Sequence, residues 1–151
     1  TTNMTARVEY KGDLRTECIH LLSKNGIITD APPDNQGKGE YFSPTDLTAT
    51  SLGACILTTL AIFGKKENRK WDFTGTTVKV AKVMYNNPRR IGEIYLDIQF
   101  PENTWTAADQ TVIERVGRTC PVRYSLHPDI KIIETYLFDQ PEFKPMTPNG
   151  E

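Results

Sequence analysis

The sequence contains only three cysteines, and this scarcity excludes one common way of stabilising a small protein. A disulfide framework needs more cysteines and an oxidising compartment, so redox chemistry or plain burial remains for the three that are present. An excess of charge of one sign is also missing, because 18 basic and 19 acidic residues leave a net charge of -1. Without an overall field, we expect neither a nucleic-acid partner nor a membrane partner.

Signals for targeting, cofactors and metals are missing as well. The opening residues, TTNMTARVEY, have no basic segment before an apolar run, so we predict no signal peptide and expect a cytoplasmic location. No glycine-rich phosphate loop is present, and no cofactor is expected. Zinc bound by Cys55, Cys120 and His127 is not favoured, because no Cys-x-x-Cys or His-x-x-x-His spacing supports a metal site. Without internal repeats, residues 1–151 are predicted to form a single domain.

Alternating apolar and polar residues predict three strands at the start of the chain. Residues 5–10 and 14–22 alternate, and the Asn-Gly pair in KNGI predicts a tight hairpin into a third strand at 27–29. The loop DAPPDNQGKGEYF follows and is too long for a simple turn. Loops of this length inside compact domains often carry function.

A long helix is predicted to begin at the motif SPTD. Ser43 is suited to the N-cap, Pro44 to the first helical position and Asp46 to a capping box. Residues 47–63 contain no charge, which predicts a helix buried nearly all round and ended by Gly64. Because the uncharged stretch is short for a membrane span and contains five serines and threonines, a core helix is favoured.

The second half of the chain predicts a hairpin, a helix and a final strand. Strands are expected at 73–84 and 91–100, joined by NNPRR as a half-buried antiparallel hairpin. A helix begins near Thr106, and its apolar stripe through Ala108, Val112 and Val116 points Cys120 inward.

Pro121 is expected to stop that helix, which leaves Cys120 in its last turn. The segment IKIIETYLF supplies the last strand. The tail at 139–151 is expected to be mobile or to contact a partner.

The element order βββ-α-ββ-α-β, with the motifs FSPTDLTATSLGAC, NPRRI and RTCPVRYSLHPD, resembles the OsmC/Ohr family of thiol-dependent peroxidases. The resemblance spans roughly residues 8–138, and its specificity lies in the combination of motifs. It implies an α+β fold in which two central helices pack against antiparallel sheets in an intertwined homodimer.

The resemblance also implies a chemistry for two of the three cysteines. Cys55 would attack the O–O bond of an organic hydroperoxide and become a sulfenic acid, and Cys120 would resolve it as a disulfide. A dithiol reductant would restore both thiols. Cys18 matches no motif of the family and is interpreted as core filler.

A peroxidatic thiol must be largely ionised at neutral pH, whereas an ordinary cysteine has a pKa of about 8.5. Cys55 lies about three turns inside its helix, beyond the reach of the N-terminal dipole, so a cation must come from elsewhere. The family uses an arginine of an early strand, which the resemblance assigns to Arg15. A guanidinium stays charged when buried and presents several donors in one plane.

The sequence departs from the hydroperoxide-reductase branch at one position. The glutamate that orients the arginine there, ten residues before the attacking cysteine, is Thr45 here. Asp46 or Glu40 could take its place, although Asp46 also fits a simple helix cap.

Two functions therefore stay open. The first is a thiol peroxidase that uses Cys55, Cys120 and Arg15. The second is a non-catalytic module of the same fold, which binds an apolar small molecule in the interfacial pocket or senses redox state through its thiols.

Overall fold

The structure is a computed structural model that describes residues 3–138. The chain divides into two compact units between Thr48 and Ala49. The tail at 139–151 lies outside the described residues, and the single domain stays a prediction. The helices and the two three-stranded sheets confirm the α+β class, while the homodimer stays a prediction.

The first unit contains a three-stranded antiparallel sheet in the order β1-β2-β3. Its strands are β1 (Ala6–Gly12), β2 (Arg15–His20) and β3 (Gly26–Thr29), and a short 3-10 helix (Pro33–Asn35) follows in the long loop. All three predicted strands are confirmed.

The hairpin between β2 and β3 does not turn at the Asn-Gly pair. Gly26 already pairs with Ile19, and the turn is closed by a 2.8 Å bond from His20 N to Asn25 O. Lys24, rather than the glycine, takes a left-handed backbone conformation in this turn, with φ 67°.

The first long helix, α1 (Pro44–Lys66), begins where the capping motif predicts. Ser43 N donates to Asp46 Oδ2 at 2.9 Å, and Asp46 N donates to Ser43 Oγ at 3.1 Å. The predicted end at Gly64 is wrong, because the helix continues through Lys65 and Lys66. These two cations face the negative end of the helix dipole, where positive charge is stabilising.

One face of α1 is buried, with Ala49, Leu52, Ile56 and Leu60 at 0–2% exposure. The prediction of burial nearly all round is wrong for the described chain, since Ala54, Thr58 and Ala61 on other faces are exposed. Within residues 3–138, α1 alone is long and apolar enough to cross a membrane, a test that core helices of soluble proteins also pass.

The second unit contains a sheet of β4 (Thr77–Tyr85), β5 (Arg90–Gln99) and β6 (Lys131–Leu137), in the order β4-β5-β6. The hairpin of β4 and β5 is antiparallel as predicted. The expectation of purely antiparallel sheets is wrong, because β6 pairs parallel to β5. The chain between them crosses over through helices, which is the connection that parallel neighbours require.

The core of this unit lies on one face of that sheet. The alternation predicted for β5 is confirmed, since Ile94, Leu96 and Ile98 are fully buried. They form one cluster with the buried face of α1 and with Ile113 and Val116 of helix α2 (Ala107–Gly117). Burying each such side chain stabilises the fold by about 1.5–3 kcal/mol before entropy is counted.

The predicted end of the second helix needs correction. Helix α2 ends at Gly117, and Cys120 is the N-cap of a separate short helix, α3 (Pro121–Ser125). Pro121 starts a helix rather than stopping one, because proline is well tolerated at the first helical position. The buried stripe of α2 runs through Ile113 and Val116, while Ala108 is exposed. Cys120 points inward as predicted, with 0% exposure.

Replacing Gly117 with alanine is expected to destabilise the protein by about 1–3 kcal/mol, as overpacking commonly does. A Cβ atom at this position would lie 2.1 Å from the hydroxyl oxygen of Tyr136. Urea unfolding measures the change, and Thr111→Ala, on the exposed side of α2, is the control. A Gly117→Ala protein as stable as the wild type would contradict this packing.

Candidate functional site

The structure brings two of the predicted site cysteines together within the second unit. Cys55 lies on α1 and is partly buried, and Cys120 caps α3 and is fully buried. Cys55 packs against the buried cluster that contains Cys120, and its thiol lies close enough to raise the pKa of Cys120. Both cysteines are free thiols in the structure.

Each thiol has a second contact from its own helix. The sulfur of Cys55 lies 3.9 Å from Thr59 Oγ1, one turn further along α1. The sulfur of Cys120 accepts a hydrogen bond of 3.4 Å from the backbone N–H of Arg123. The Cys120 thiol therefore occupies the place of a side-chain N-cap, which fixes its direction.

Burial raises the pKa of Cys120 to about 11. The Cys55 thiol and the charge of Glu134 raise the pKa further, while the hydrogen bond from the Arg123 amide lowers it. Cys120 is thus a neutral thiol near pH 7. A neutral, enclosed thiol is a poor nucleophile towards a peroxide. It is better suited to react with a neighbouring cysteine after that cysteine has been oxidised.

A charge network lies next to Cys120. The carboxylate of Glu134, with 1% exposure, pairs with the guanidinium of Arg123 and accepts a 3.0 Å hydrogen bond from the hydroxyl of Tyr136. Arg118 lies over the Tyr136 ring, 5.1 Å from its centroid. Burial raises the pKa of Glu134 and also that of Tyr136.

The pairing of Arg123 with Glu134 was missed by sequence reasoning. A signal for Glu134 was available, because it shares a strand face with Ile132 and Tyr136 in IKIIETY. A glutamate on the apolar face of a strand needs a partner, and a basic residue near Cys120 was the available choice.

The third predicted site residue, Arg15, lies in the first unit at the start of β2. Its Nη2 atom is 2.6 Å from Glu40 Oε2 and 3.7 Å from Asp30 Oδ2, and its guanidinium lies over the ring of Tyr41. The hydrogen bond with Glu40 raises the pKa of Arg15. The guanidinium is therefore held by two carboxylates and an aromatic face.

The structure distinguishes between Glu40 and Asp46, the two carboxylates that the sequence left open as partners of Arg15. Glu40 contacts Arg15, whereas Asp46 is engaged in the cap of α1. The hydroxyl of Thr45 belongs to the same cap, 3.2 Å from Ser43 Oγ. Of the two carboxylates, Glu40 is therefore the one that pairs with Arg15.

Asp30 was missed by sequence reasoning. Its side chain is 1% exposed, and its Oδ2 atom accepts a 3.2 Å hydrogen bond from the backbone N–H of Glu40. This bond fixes the backbone of the loop at the residue that holds Arg15. The only signal in the sequence was an aspartate directly after the third predicted strand.

An open apolar groove of about 460 Å³ lies beside Glu40. Ile27, Ile28 and Phe42 form much of its wall, and each of them is more than 40% exposed. The groove is suited to an apolar group near the carboxylate that holds Arg15.

The remaining candidates contribute little chemistry. Cys18 is partly buried on β2, 3.8 Å from Thr16 Oγ1, and its interpretation as core filler stays a prediction. His127 is exposed in a turn, where it accepts a hydrogen bond from the backbone of Asp129. Between residues 3 and 138, no group of three or more His, Cys, Asp and Glu side chains could hold a metal ion.

Arg15 and the cysteine pair belong to different units of the chain. The catalytic role of Arg15 therefore stays a prediction. The pairing of Arg15 with Glu40 and the closeness of Cys55 to Cys120 each stand within one unit.

Comparison with known proteins gives a family and several structural neighbours. Residues 37–135 match the family model described as OsmC-like protein. A solved structure from Psychrobacter arcticus 273-4, whose description names osmotic stress induction and a detoxification response, is 46% identical and has a TM-score of 0.81. That alignment covers 92% of this chain and 98% of the other. No match was found among curated proteins.

Two more distant structures share the fold. An organic hydroperoxide resistance protein from Legionella pneumophila is 11% identical, with a TM-score of 0.70 and coverage of 91% of this chain and 99% of that one. Another, from Bacillus subtilis, is 15% identical, with a TM-score of 0.62 and coverage of 88% and 98%. At these identities the likeness concerns the fold alone.

Proposed function

This chain belongs to the OsmC-like protein family, and on that premise we propose that it is a thiol-dependent peroxidase that reduces organic hydroperoxides. The observation that carries the proposal is the closeness of two free thiols, Cys55 and Cys120, which lie far apart in the sequence but pack in one cluster. The different character of the two thiols supports a division of labour between them.

The first step oxidises Cys55. Its thiolate sulfur attacks one oxygen of the O–O bond, the bond breaks, and the alkoxide leaves and takes up a proton to become the alcohol. Cys55 keeps the other oxygen as a sulfenic acid. Cys55 is partly exposed and can meet a peroxide, whereas Cys120 is enclosed.

The second step forms the disulfide. Cys120 gives up its proton and its sulfur attacks the sulfur of the sulfenic acid, so that an S–S bond forms and the S–O bond breaks. The hydroxide leaves with the proton as water. A dithiol then reduces the disulfide by exchange and is itself oxidised, which restores both thiols.

Arg15 is proposed to supply the positive charge that ionises the attacking thiol and holds the peroxide oxygen. Its contact with Glu40 supports this role, because a carboxylate fixes the plane of the guanidinium and leaves further N–H donors for the reaction. The apolar groove beside Glu40 supports an organic rather than an inorganic peroxide.

A homodimer in the cytoplasm is part of the proposal. Between residues 47 and 63, the exposed positions of α1, including Ala54, Thr58 and Ala61, are uncharged, and such a face is better covered by a second copy than by water. A cycle that ends in reduction by a dithiol needs a reducing compartment, which supports the cytoplasm.

Titration with cumene hydroperoxide tests the proposed function. One equivalent is expected to remove two of the three thiols per chain, counted after denaturation. In Cys120→Ser the first attack should persist, and Cys55 should accumulate as a sulfenic or overoxidised species in the mass spectrum. Cys18→Ser is the control and should lose both of its remaining thiols.

Unchanged thiol counts at stoichiometric peroxide would contradict the proposal. If the protein then still binds an apolar small molecule, the non-catalytic binding module is the better description. Loss of a single thiol in the wild type would contradict the resolving role of Cys120.

A further inference from the structure

Glu134 is a charged residue on the core face of a sheet. It lies in register with Leu96, and its neighbour on the same face, Tyr136, lies in register with Ile98. Its side chain is 1% exposed. Burying a carboxylate costs several kcal/mol unless a cation and hydrogen bonds compensate for the lost water.

Arg123 provides that compensation from a different element. Its guanidinium extends from α3 to the carboxylate of Glu134 on β6. The hydroxyl of Tyr136 donates the second hydrogen bond, and it fits there because Gly117 has no side chain. The ion pair therefore ties the short helix to the sheet.

Arg123 also contacts the resolving thiol. Its backbone N–H donates to the sulfur of Cys120, so the residue that pairs with Glu134 also orients Cys120. With five residues, α3 is too short to be stable by itself, and its position depends on tertiary contacts. A side chain anchored in the sheet and an amide bonded to the thiol connect Glu134 to Cys120.

We propose that Arg123 and Glu134 are positioning residues for the resolving step, which hold the Cys120 thiol where it can reach oxidised Cys55. The inference rests on the proposed function. A disulfide forms only when the two Cα atoms lie roughly 4.4–6.8 Å apart and the Cβ vectors converge, so a small displacement of α3 slows the reaction.

Stability alone is a weak reason for this pair. Replacing a buried ion pair by apolar residues of similar volume is often neutral or stabilising. The location of the pair beside Cys120 gives it a use that an apolar replacement would lack. The groups that act on the Cys120 thiol are Cys55 on α1, Arg123 on α3 and Glu134 on β6.

The test compares Arg123→Met with Arg123→Lys, which keeps the charge, and with Arg115→Met, the same change at an exposed site on α2. One equivalent of cumene hydroperoxide is added, and the sulfenic acid and the disulfide are followed separately by quenched mass spectrometry. In Arg123→Met, disulfide formation should slow about tenfold or more while sulfenic acid forms within about twofold of the wild-type rate, as a misplaced reacting group implies. The lysine variant should restore most of the rate, and Arg115→Met should match the wild type.

Two further measurements separate positioning from a loss of folding. Glu134→Gln keeps the shape of the side chain but removes its charge. Because the charge of Glu134 raises the pKa of Cys120, this variant should move the pH profile of disulfide formation to lower pH. If Arg123→Met does not fold, the double variant Arg123→Met with Glu134→Gln leaves no unpaired buried charge and should show the same slowing.

Equilibration with a glutathione redox buffer keeps this inference distinct from the proposed function, because it forms the Cys55–Cys120 disulfide without peroxide. Arg123→Met, or the double variant, should need a buffer about tenfold more oxidising. The inference is overturned if the variant tested forms the disulfide in the same redox buffer as the wild type. It is also overturned if Glu134→Gln leaves the pH profile of disulfide formation unchanged. A wild-type protein that ignores peroxide but forms the disulfide in glutathione overturns the proposed function alone.

Discussion

Replacing Cys55 with serine is expected to abolish peroxide reduction, with a loss of at least about a thousandfold in rate. The thiolate is the nucleophile, and a serine hydroxyl is a weak one without an adjacent base. The Cys55→Ser protein should keep both of its remaining thiols in the presence of cumene hydroperoxide. Stopped-flow mixing with peroxide, followed by thiol counting, measures both quantities.

The controls for this result are the other two cysteines. Cys18→Ser should reduce peroxide at the wild-type rate. Cys120→Ser should keep the first turnover and lose the later ones, since the enclosed thiol acts only after Cys55 has been oxidised. If Cys55→Ser consumed peroxide at the wild-type rate, another residue would be the nucleophile, and the mechanism proposed for this chain would be wrong.

Replacing Arg15 with methionine is expected to slow the oxidation of Cys55 by about 100-fold to 1000-fold. This is the usual effect of removing one donor to a developing negative charge. Arg15→Lys should recover only part of the loss, because an ammonium group is a point charge without the planar fork of donors. The rate of the first step at increasing peroxide concentration gives the measurement.

Glu40 and Asp46 provide a matched pair of carboxylates for the same experiment. Glu40→Gln should slow Cys55 oxidation by about tenfold, because the amide holds the guanidinium less firmly. Asp46→Asn should leave that rate unchanged and lower the stability of the fold through its cap on α1 by about 0.5–2 kcal/mol. If Asp46→Asn slows Cys55 oxidation and Glu40→Gln does not, Asp46 rather than Glu40 is the carboxylate that orients Arg15.

Local signals in the sequence predicted the elements that local chemistry determines. The capping box of Ser43 and Asp46 determines the start of α1, and alternation along 91–100 predicts the buried face of β5. Both depend on residues a few positions apart. The same holds for the three N-terminal strands, whose side-chain period is two.

Errors arose where distant parts of the chain decide the outcome. The direction of β6 depends on the crossover that precedes it, and the exposure of α1 depends on which partner covers it. Pro121 was interpreted as a helix stop, although proline is equally compatible with a first helical turn.

The candidate site was predicted in part. The closeness of Cys55 and Cys120 followed from the family resemblance, and the structure packs both in one cluster. The choice of Glu40 over Asp46 and the Arg123–Glu134 pair could not be read from spacing. Each depends on contacts between residues at least eleven positions apart.

The carboxylate that holds Arg15 comes from the loop before α1, not from the helix itself. A consensus pattern that requires glutamate at the position of Thr45 would reject this chain, although the guanidinium of Arg15 has an acidic partner in Glu40. The length and backbone of the segment around Glu40 therefore carry information that a motif scan discards. Homologues with threonine at that helix position are best sorted by whether an acidic residue precedes the helix.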